Sequence, residues 1–335
     1  MIGIGIESSC DETSIGIVED GITLLSLKIF SQIEAHAEFR GVVPEIASRA
    51  HLEKINLLFD EALKEANLSL KDISYVAVTT RPGLLGSLMI GAQLARCISF
   101  ACKIPIVTVD HLEAHLNTVQ LENKSPRFPY LGILLSGGNS SIFIVEGFGK
   151  MKLIGDTTDD ALGEAFDKVS SVLKLPYPGG PAIEKRASQF KQDTADKSPF
   201  PELLKDTPSD KIQFSYSGIK TSVLYYTKKH ELNEEKINEI CFHFQNTAFQ
   251  LVEKNLIKAV RLTGIKTIVA SGGVLANETL RKRLLKIAEN KKLELFFPEK
   301  KILCTDNGAM VASLGYFLFK SGVSDSIDFK VSPNR

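Results

Sequence analysis

The chain has no excess of charge of either sign, because 40 Lys and Arg residues balance 40 Asp and Glu residues. A generic basic nucleic-acid binder is therefore excluded. The cysteines are few and scattered: Cys10, Cys97, Cys102, Cys241 and Cys304. They form no Cys-x-x-Cys pair, which excludes a zinc ribbon and a disulfide framework. This usage predicts a reducing compartment, the cytoplasm.

A long apolar run is also missing. The longest uncharged stretch, residues 128–145, is interrupted by Ser-Gly-Gly-Asn-Ser-Ser at 136–141 and is too polar for the roughly 20 apolar residues of a membrane span. The N-terminus has no basic region before its apolar residues and reaches Glu7 at once, unlike a signal peptide. We therefore expect no membrane segment, and we expect the first residues to belong to the fold.

What the chain does contain is a repeat. Residues 2–7 and 15–18 predict a β-hairpin, and residues 131–135 and 142–145 predict a second one. Each hairpin is followed by an amphipathic helix, a strand and a glycine turn in the same order. We interpret this as duplication of an α/β unit, with a proline-containing, loop-rich insert at about 150–215 in the second copy.

A chain of 335 residues is long enough for two domains. We predict a first domain of residues 1–125 together with 306–335, and a second domain of residues 126–305. Two such α/β domains facing each other would place their polar turns around one cleft. Ligands of α/β sheets bind at strand-end turns of this kind.

The sharpest chemical signal is Asp-His-Leu-Glu-Ala-His at 110–115, directly after an apolar strand. On a helix, His111 and His115 lie one turn apart on one face and can share a metal ion. Capping or hydrogen-bonded surface histidines are the alternative. Asp306, in Cys-Thr-Asp-Asn-Gly at 304–308, is the candidate third ligand, and an N-cap is its ordinary alternative role.

The spacing differs from the zinc-protease pattern His-Glu-x-x-His. Glu113 lies two residues from each histidine, which is about 200° around a helix. It therefore points away from the face that carries the histidines. A water-activating peptidase geometry is not encoded in this segment.

Glycine-rich turns form a second set of candidates. Ser-Gly-Gly at 136–138, Gly-Gly at 179–180 and Ser-Gly-Gly at 271–273 let backbone N–H groups approach a phosphate or carbonyl oxygen. None of them is a Walker loop or a Rossmann fingerprint. The polar turn at 7–13 can bind a phosphate, and a solvated turn is the alternative. Cys10 in this turn has no histidine near it in sequence, so we do not assign it as a nucleophile.

Taken together, these motifs resemble the TsaD family, once called Gcp or O-sialoglycoprotein endopeptidase. The resemblance covers essentially the whole chain, and Gly-Val-Val-Pro-Glu at 41–45 resembles the bacterial branch. It also runs through the segments at 6–13, 82–87, 111–115, 163–168, 175–181, 214–221, 271–273 and 304–307.

The resemblance implies the α/β fold of the actin/Hsp70/sugar-kinase (ASKHA) group, two duplicated domains around a central cleft. It implies transfer of threonylcarbamoyl from threonylcarbamoyl-adenylate to N6 of the adenosine 3′-adjacent to the anticodon, in tRNAs reading codons that begin with A. AMP is released. A metallopeptidase and a nucleotide-gated assembly module are the alternatives.

By the same resemblance, His111, His115 and Asp306 hold one divalent metal ion, Fe(2+) or Zn(2+). The adenylate, an ATP-type nucleotide ligand, is held by nine residues: Leu134, Leu135, Ser136, Gly137, Gly138, Asp167, Gly180, Glu184 and Asn277. Asp11 and Glu12 are candidates for proton handling or positioning. The sequence departs from the family pattern at Asn139-Ser140, Glu184 and Arg81.

The implied partners are tRNA, the paralogue TsaB, the ATPase TsaE and an upstream TsaC-type synthase that makes the adenylate. With zero net charge, we expect the chain alone to bind tRNA weakly. We expect the paralogue to dock on an apolar helix face of the N-terminal domain, such as the face that bears Ile55 and Phe59. The alternative is that this face is buried in the core of the domain itself.

Overall fold

The structure is a computed structural model that describes residues 1–39, 41–191, 197–204 and 210–334. Contacts divide the chain into unit 1, Met1–Ser125 with Gly147–Met151 and Phe297–Arg335, and unit 2, Pro126–Glu146 with Lys152–Phe296. The domain limits drawn from the sequence stay a prediction, because a division by contacts describes compactness and not independent folding. Residues 192–196 and 205–209 of the expected insert, including Pro208, lie outside the described residues.

The elements alternate between strands and helices along the chain. The strands are β1 (Ile2–Glu7), β2 (Glu12–Glu19), β3 (Thr23–Ser31), β4 (Tyr75–Arg81), β5 (Ile106–Asp110), β6 (Tyr130–Leu135), β7 (Ser140–Gly147), β8 (Lys150–Thr157), β9 (Ile212–Phe214), β10 (Thr267–Ser271) and β11 (Glu294–Phe296). The helices are α1 (Ile33–Ala37), α2 (Pro44–Ala66), α3 (Leu85–Cys102), α4 (His111–Asn117), α5 (Leu162–Val172), α6 (Gly179–Ala187), α7 (Ser217–Lys229), α8 (Glu234–Thr263), α9 (Glu278–Lys291) and α10 (Gly308–Lys320).

The two sheets share one strand order. The first reads β3-β2-β1-β4-β5, and the second, taken from the other end, reads β9-β8-β7-β6-β10-β11. In both sheets the first hairpin is antiparallel (β1 with β2, β6 with β7), and its first strand is parallel to a later strand (β4, β10). The predicted duplication of an α/β unit is therefore confirmed, with β9 as an additional edge strand.

The insert begins and ends later in the chain than the sequence predicted, and part of it is helical. Strand β8 belongs to the repeat as the counterpart of β3, so the additional part of unit 2 begins after Thr157 and includes α5, α6, β9 and α7. Segments outside helices and strands make up much of its described part, and two of its prolines lie at a helix start. Pro178 is the N-cap of α6 and Pro181 lies in its first turn, where no backbone N–H is needed.

Helix α2 packs on β2 and β3, and this contact corrects the expected docking face. Ile55 is only 3% exposed, and Phe59 packs against the same core, so the face that bears them is filled by unit 1 itself. The exposed apolar side chains of α2 are instead Leu52 and Leu57.

Among the described residues, helix α3 is long and apolar enough to cross a membrane by length and composition alone. Its Leu88, Ala92 and Ala95 are fully buried, and the helix packs on β4. A core helix passes the same test, so this is weak evidence for a membrane span.

Three glycines fix the start of α10 on the first sheet. Gly5 and Gly16 are directly opposite each other in the β1–β2 ladder, and Gly308 begins α10 above them. A Cβ atom at Gly16 would overlap the backbone of Ala309, and one at Gly308 would overlap the backbone of Gly16 and Gly5. Only glycine permits helix and sheet to approach this closely.

We predict that Gly16→Ala lowers the free energy of unfolding by about 1–3 kcal/mol, because the overlap is with backbone that cannot turn aside. Thermal and denaturant unfolding would measure the loss. Gly147→Ala is the matched control, a strand glycine whose Cβ would meet only the flexible end of Lys150, at 3.9 Å. Equal stability of the two variants would contradict the prediction.

Candidate functional site

Helix α4 carries both predicted histidine ligands and begins directly at the end of β5. Asp110 caps its first turn, because Asp110 Oδ1 accepts hydrogen bonds from the backbone N–H groups of Leu112 at 3.0 Å and Glu113 at 3.3 Å. His111 and His115 are buried, with ring centroids 4.7 Å apart. The local sequence therefore builds the one-turn pair that the spacing predicted.

Asp306 reaches this pair from the loop before α10. Its Oδ1 lies 2.9 Å from His115 Nε2 and 3.6 Å from His111 Nε2. The cap of α10 is provided by the next residue, since Asn307 Oδ1 accepts from the backbone N–H of Met310 at 2.9 Å. Asp306 is therefore not the helix cap, and it faces the two histidines.

The three side chains fit a divalent metal ion. Each offers one ligand atom, and these atoms all lie within 4.8 Å of one another. Two imidazoles and one carboxylate are a donor set that suits iron(II) and zinc, with coordination positions left for a substrate. Within the described residues, the buried Nδ1 of His115 has no hydrogen-bond partner.

The charges of this cluster act on one another strongly. Burial disfavours the charged form of His111, but the carboxylates of Asp306 and Glu7 outweigh burial and raise the pKa of His111 to about 9. Burial also acts to raise the pKa of Asp306, but His111 and His115 lower it to about 2. Without a metal ion, the cluster would therefore hold a proton on His111 at neutral pH.

Glu7 also contacts this cluster, although the sequence placed it only in the polar turn at 7–13. It is fully buried at the end of β1, and its Oε2 lies 3.1 Å from His111 Nδ1 and accepts from Thr79 Oγ1 at 2.5 Å. Its Oε1 accepts from the backbone N–H of Ser9 at 2.7 Å. A carboxylate on the far nitrogen of a ligating histidine fixes the ring's orientation and tautomer. The only sequence signal was a carboxylate at the end of a buried strand.

Asp11 and Glu12 lie in the same hairpin as Glu7, at the turn between β1 and β2. Burial raises the pKa of Glu12 well above its usual value, and the charges of Asp306 and Asp11 add to this effect. The same turn holds Cys10, whose pKa is raised by burial and by Asp11 and Asp306. A thiol with a raised pKa is a poor nucleophile, in agreement with leaving Cys10 outside the chemistry.

Glu113 takes no part in the histidine cluster. Its Oε1 accepts from the backbone N–H of Gly149 at 2.5 Å, in the connection between β7 and β8. The Glu113 carboxylate therefore forms its hydrogen bond on a different side of α4 from the face that carries the two histidines.

In unit 2, the predicted ligand residues begin at the turn after β6. Leu134 and Leu135 are fully buried, and they pair with neighbouring strands as part of β6. At Gly137 and Gly138, no described atom lies within 4 Å of the position that a Cβ atom would take, which leaves their backbone accessible. The backbone N–H of Gly163 donates to Ser136 O at 3.2 Å, joining this turn to the start of α5.

The remaining candidates of unit 2 lie on or next to helices that they connect by hydrogen bonds. Asp167 Oδ1 accepts from the backbone N–H of Gly179 at 2.6 Å, which joins α5 to α6, and Gly180 follows directly. Glu184 Oε1 accepts from Glu278 N at 2.7 Å, which joins α6 to α9.

Asn277 is already committed to the fold on both sides of its amide. Its Oδ1 accepts from Leu280 N at 3.0 Å as the N-cap of α9, and its Nδ2 donates to Gln245 Oε1 at 3.0 Å. The structure thus groups Asp11, Glu12, His111, His115 and Asp306 in unit 1, and the nine predicted adenylate residues in unit 2.

Two of the departures from the family pattern have local partners. Arg81 Nε lies 3.4 Å from Asp110 Oδ2, so the arginine contacts the cap of α4. Asn139 N donates to Ser136 Oγ at 3.1 Å and closes the Ser-Gly-Gly turn on itself.

A family model described as TsaD, tRNA N6-adenosine threonylcarbamoyltransferase, matches residues 23–313. The chain belongs to the TsaD family. A relative from Leptospira interrogans that bears the same name is 60% identical over 100% of this chain and 98% of its own length. Another, from Syntrophus aciditrophicus, is 41% identical over 98% and 95% of the two chains. These names support the transferase and not the metallopeptidase or the assembly module.

Solved structures agree on the fold. The (R)-2-hydroxyglutaryl-CoA dehydratase component A of Acidaminococcus fermentans matches 96% of this chain and 100% of its own, with a TM-score of 0.56 and 14% identity. The HypF protein of T. kodakarensis matches 96% of this chain and 48% of its own, with a TM-score of 0.59 and 14% identity. At such identities the similarity shows the fold alone, and it confirms the α/β fold of the ASKHA group.

We predict that Glu7→Gln lowers the pKa of His111 in the metal-free protein below about 9, because one of the three carboxylates that raise it is removed. An NMR pH titration of the histidine ring signals would measure the shift. Glu61→Gln, which changes an exposed carboxylate of α2, is the control and should leave the His111 titration where it is. An unchanged pKa in Glu7→Gln would contradict the contact.

Proposed function

We propose that this protein transfers the threonylcarbamoyl group from threonylcarbamoyl-adenylate to N6 of the adenosine 3′-adjacent to the anticodon, in tRNAs reading codons that begin with A. Membership of the TsaD family supports the class of reaction. The observation that carries the proposal is the buried cluster of His111, His115 and Asp306, since a transferase that handles a carbonyl group can use a cation there.

The reaction needs no nucleophile from the protein. The N6 amine attacks the carbonyl carbon of the carbamoyl group, the bond from that carbon to the phosphate oxygen breaks, and AMP leaves with the electron pair. The amine loses one proton. Asp11 and Glu12 are the proposed groups for receiving or positioning that proton, because their turn lies within electrostatic range of Asp306.

His111, His115 and Asp306 would hold one divalent ion, iron(II) or zinc. When bound, the ion would supply Lewis acidity for polarising the carbamoyl carbonyl and a point of attachment for the threonyl part. Glu7 would keep the ring of His111 directed at the ion through its hydrogen bond to Nδ1.

The adenylate would be bound by the turns of unit 2. The accessible backbone at Gly137, Gly138 and Gly180 can donate N–H groups to the phosphate, and the adjoining helix N-termini favour an anion. Asp167, Glu184 and Asn277 would contact ribose or base while keeping their hydrogen bonds to the helix ends.

We propose the cytoplasm as the compartment, because both tRNA and the adenylate would be encountered there.

Reconstitution with threonylcarbamoyl-adenylate, tRNA and iron(II) or zinc tests the proposal. We predict modified tRNA with the unaltered protein. His111→Ala should lose both the metal ion and transfer, with little loss of secondary structure, because one of the three protein ligands is gone. Metal content by mass spectrometry, transfer to radiolabelled tRNA and circular dichroism would be measured together.

His230→Ala is the control, because His230 is an exposed histidine at the end of α7. It should keep its metal content and its activity. A His111→Ala protein with full metal content would refute the metal assignment, and unmodified tRNA with the unaltered protein would refute the proposed reaction.

The protein would act with partners. The zero net charge gives the chain little means of neutralising tRNA phosphates on its own. We propose that the paralogue TsaB docks on exposed apolar side chains of α2 and α3, Leu52, Leu57, Leu85 and Met89, that the ATPase TsaE joins this assembly, and that a TsaC-type synthase supplies the adenylate.

We predict that TsaB raises both the tRNA affinity and the multiple-turnover rate at fixed salt. The double variant Leu52→Asp/Leu57→Asp should lose this gain, because it places charge on the proposed docking surface. Leu262→Asp, which changes a similarly exposed leucine of α8, should keep the gain. Equal affinity and rate with and without TsaB would count against partner dependence.

A further inference from the structure

Three consecutive carbonyl groups of the turn after β1 accept hydrogen bonds from three different elements. Ser9 O accepts from Leu84 N at 2.7 Å, just before α3, and Asp11 O accepts from Gln32 N at 3.0 Å, just before α1. Between them, Cys10 O accepts from Nε2 of His51 in α2, at 3.0 Å. Backbone N–H groups make the outer two bonds, whereas the middle bond depends on the identity of one side chain.

His51 also holds the other end of the turn. Its Nδ1 lies 2.7 Å from Thr13 Oγ1, and both residues are fully buried. A carbonyl oxygen can only accept, so Nε2 carries the proton and Nδ1 accepts the hydroxyl proton of Thr13. Burial lowers the pKa of His51, which favours this neutral ring. One imidazole therefore bonds the residue before Asp11 and the residue after Glu12.

The turn needs such a hold because acidic side chains are crowded in it. Glu7, Asp11 and Glu12 lie within six positions, and Asp306 approaches them from the loop before α10. Mutual repulsion of carboxylates favours conformations in which the turn opens towards solvent. The buried hydrogen bond at each end of the turn opposes that opening and keeps the side chains of Asp11 and Glu12 in one arrangement.

We infer that His51 is a positioning residue for threonylcarbamoyl transfer, a neutral clamp between Cys10 and Thr13 that fixes the backbone carrying Asp11 and Glu12. The catalytic consequence rests on the proposed function, whereas the clamp itself does not. The sequence alone does not reveal this role of His51, because a histidine inside an amphipathic helix has no bonding partner nearby in the sequence.

Two replacements of His51 separate the clamp from simple packing. His51→Leu fills the site but removes both bonds, whereas His51→Gln keeps an N–H donor near the position of Nε2 and can still reach Cys10 O. His230→Gln serves as the control, because it makes the same chemical change at an exposed position of unit 2. All variants are studied as full chains, with TsaB present for the kinetic measurements.

In His51→Leu, we expect amide hydrogen exchange at residues 10–13 to be faster by roughly fivefold or more, the equivalent of one net hydrogen bond. We expect kcat for transfer to fall by about 10²-fold, the usual effect of a displacement near 1 Å, while KM for tRNA stays unchanged. His51→Gln should recover a large part of both losses. In the unaltered protein, ¹⁵N NMR should show His51 protonated at Nε2 and not at Nδ1.

A folded His51→Leu protein with unaltered exchange at residues 10–13 and unaltered kcat would overturn the inference. So would equal losses in His51→Leu and His51→Gln, or a proton on Nδ1. If the unaltered protein transfers nothing, the proposed function is wrong, and the exchange and ¹⁵N measurements still decide whether the clamp exists.

Discussion

The close approach of α10 to the first sheet is the constraint on which the candidate metal centre depends. Gly5 and Gly16 leave a flat area on the β1–β2 ladder, and Gly308 brings the first turn of α10 down onto it. Asp306 lies two residues before that contact, so its position follows from the packing of the helix. A side chain at any of the three glycines would lift α10 and move the carboxylate away from α4.

Because the candidate metal centre is buried, its charged groups depend strongly on one another. Glu7, His111 and His115 are almost entirely removed from water, and an unpaired charge there would cost several kcal/mol. The carboxylates depend on their neighbours: Glu7 on His111, Thr79 and Ser9, and Asp306 on the two histidines. A bound cation would satisfy the same carboxylates and histidines that a proton on His111 satisfies in its absence.

Features that depend on neighbouring residues could be predicted from the sequence, whereas contacts between residues that are distant in the sequence could not. The hairpins, the one-turn spacing of His111 and His115, and the position of Asp306 next to a helix start were all visible as short patterns. Glu7 contacts His111 across 104 positions because of the strand order of the first sheet. His51 contacts Thr13 across 38 positions because α2 packs on β2. Helix α6 was not predicted, because prolines at a helix start look, in sequence, like prolines in a loop.

In unit 2, the fold and the ligand would compete for the same groups. Glu184, where the family often has Asp, uses its Oε1 to reach the first backbone N–H of α9, and Asn277 caps the same helix end. A phosphate bound at that N-terminus would have to replace the Glu184 carboxylate, since both need the same donors. At Gly137, Gly138 and Gly180, by contrast, no described atom beyond the neighbouring residues of the chain lies within 4 Å of the position that a Cβ atom would take. The phosphate is therefore better served by the glycine turns, and Glu184 and Asn277 by uncharged hydroxyl or amine groups of the adenosine.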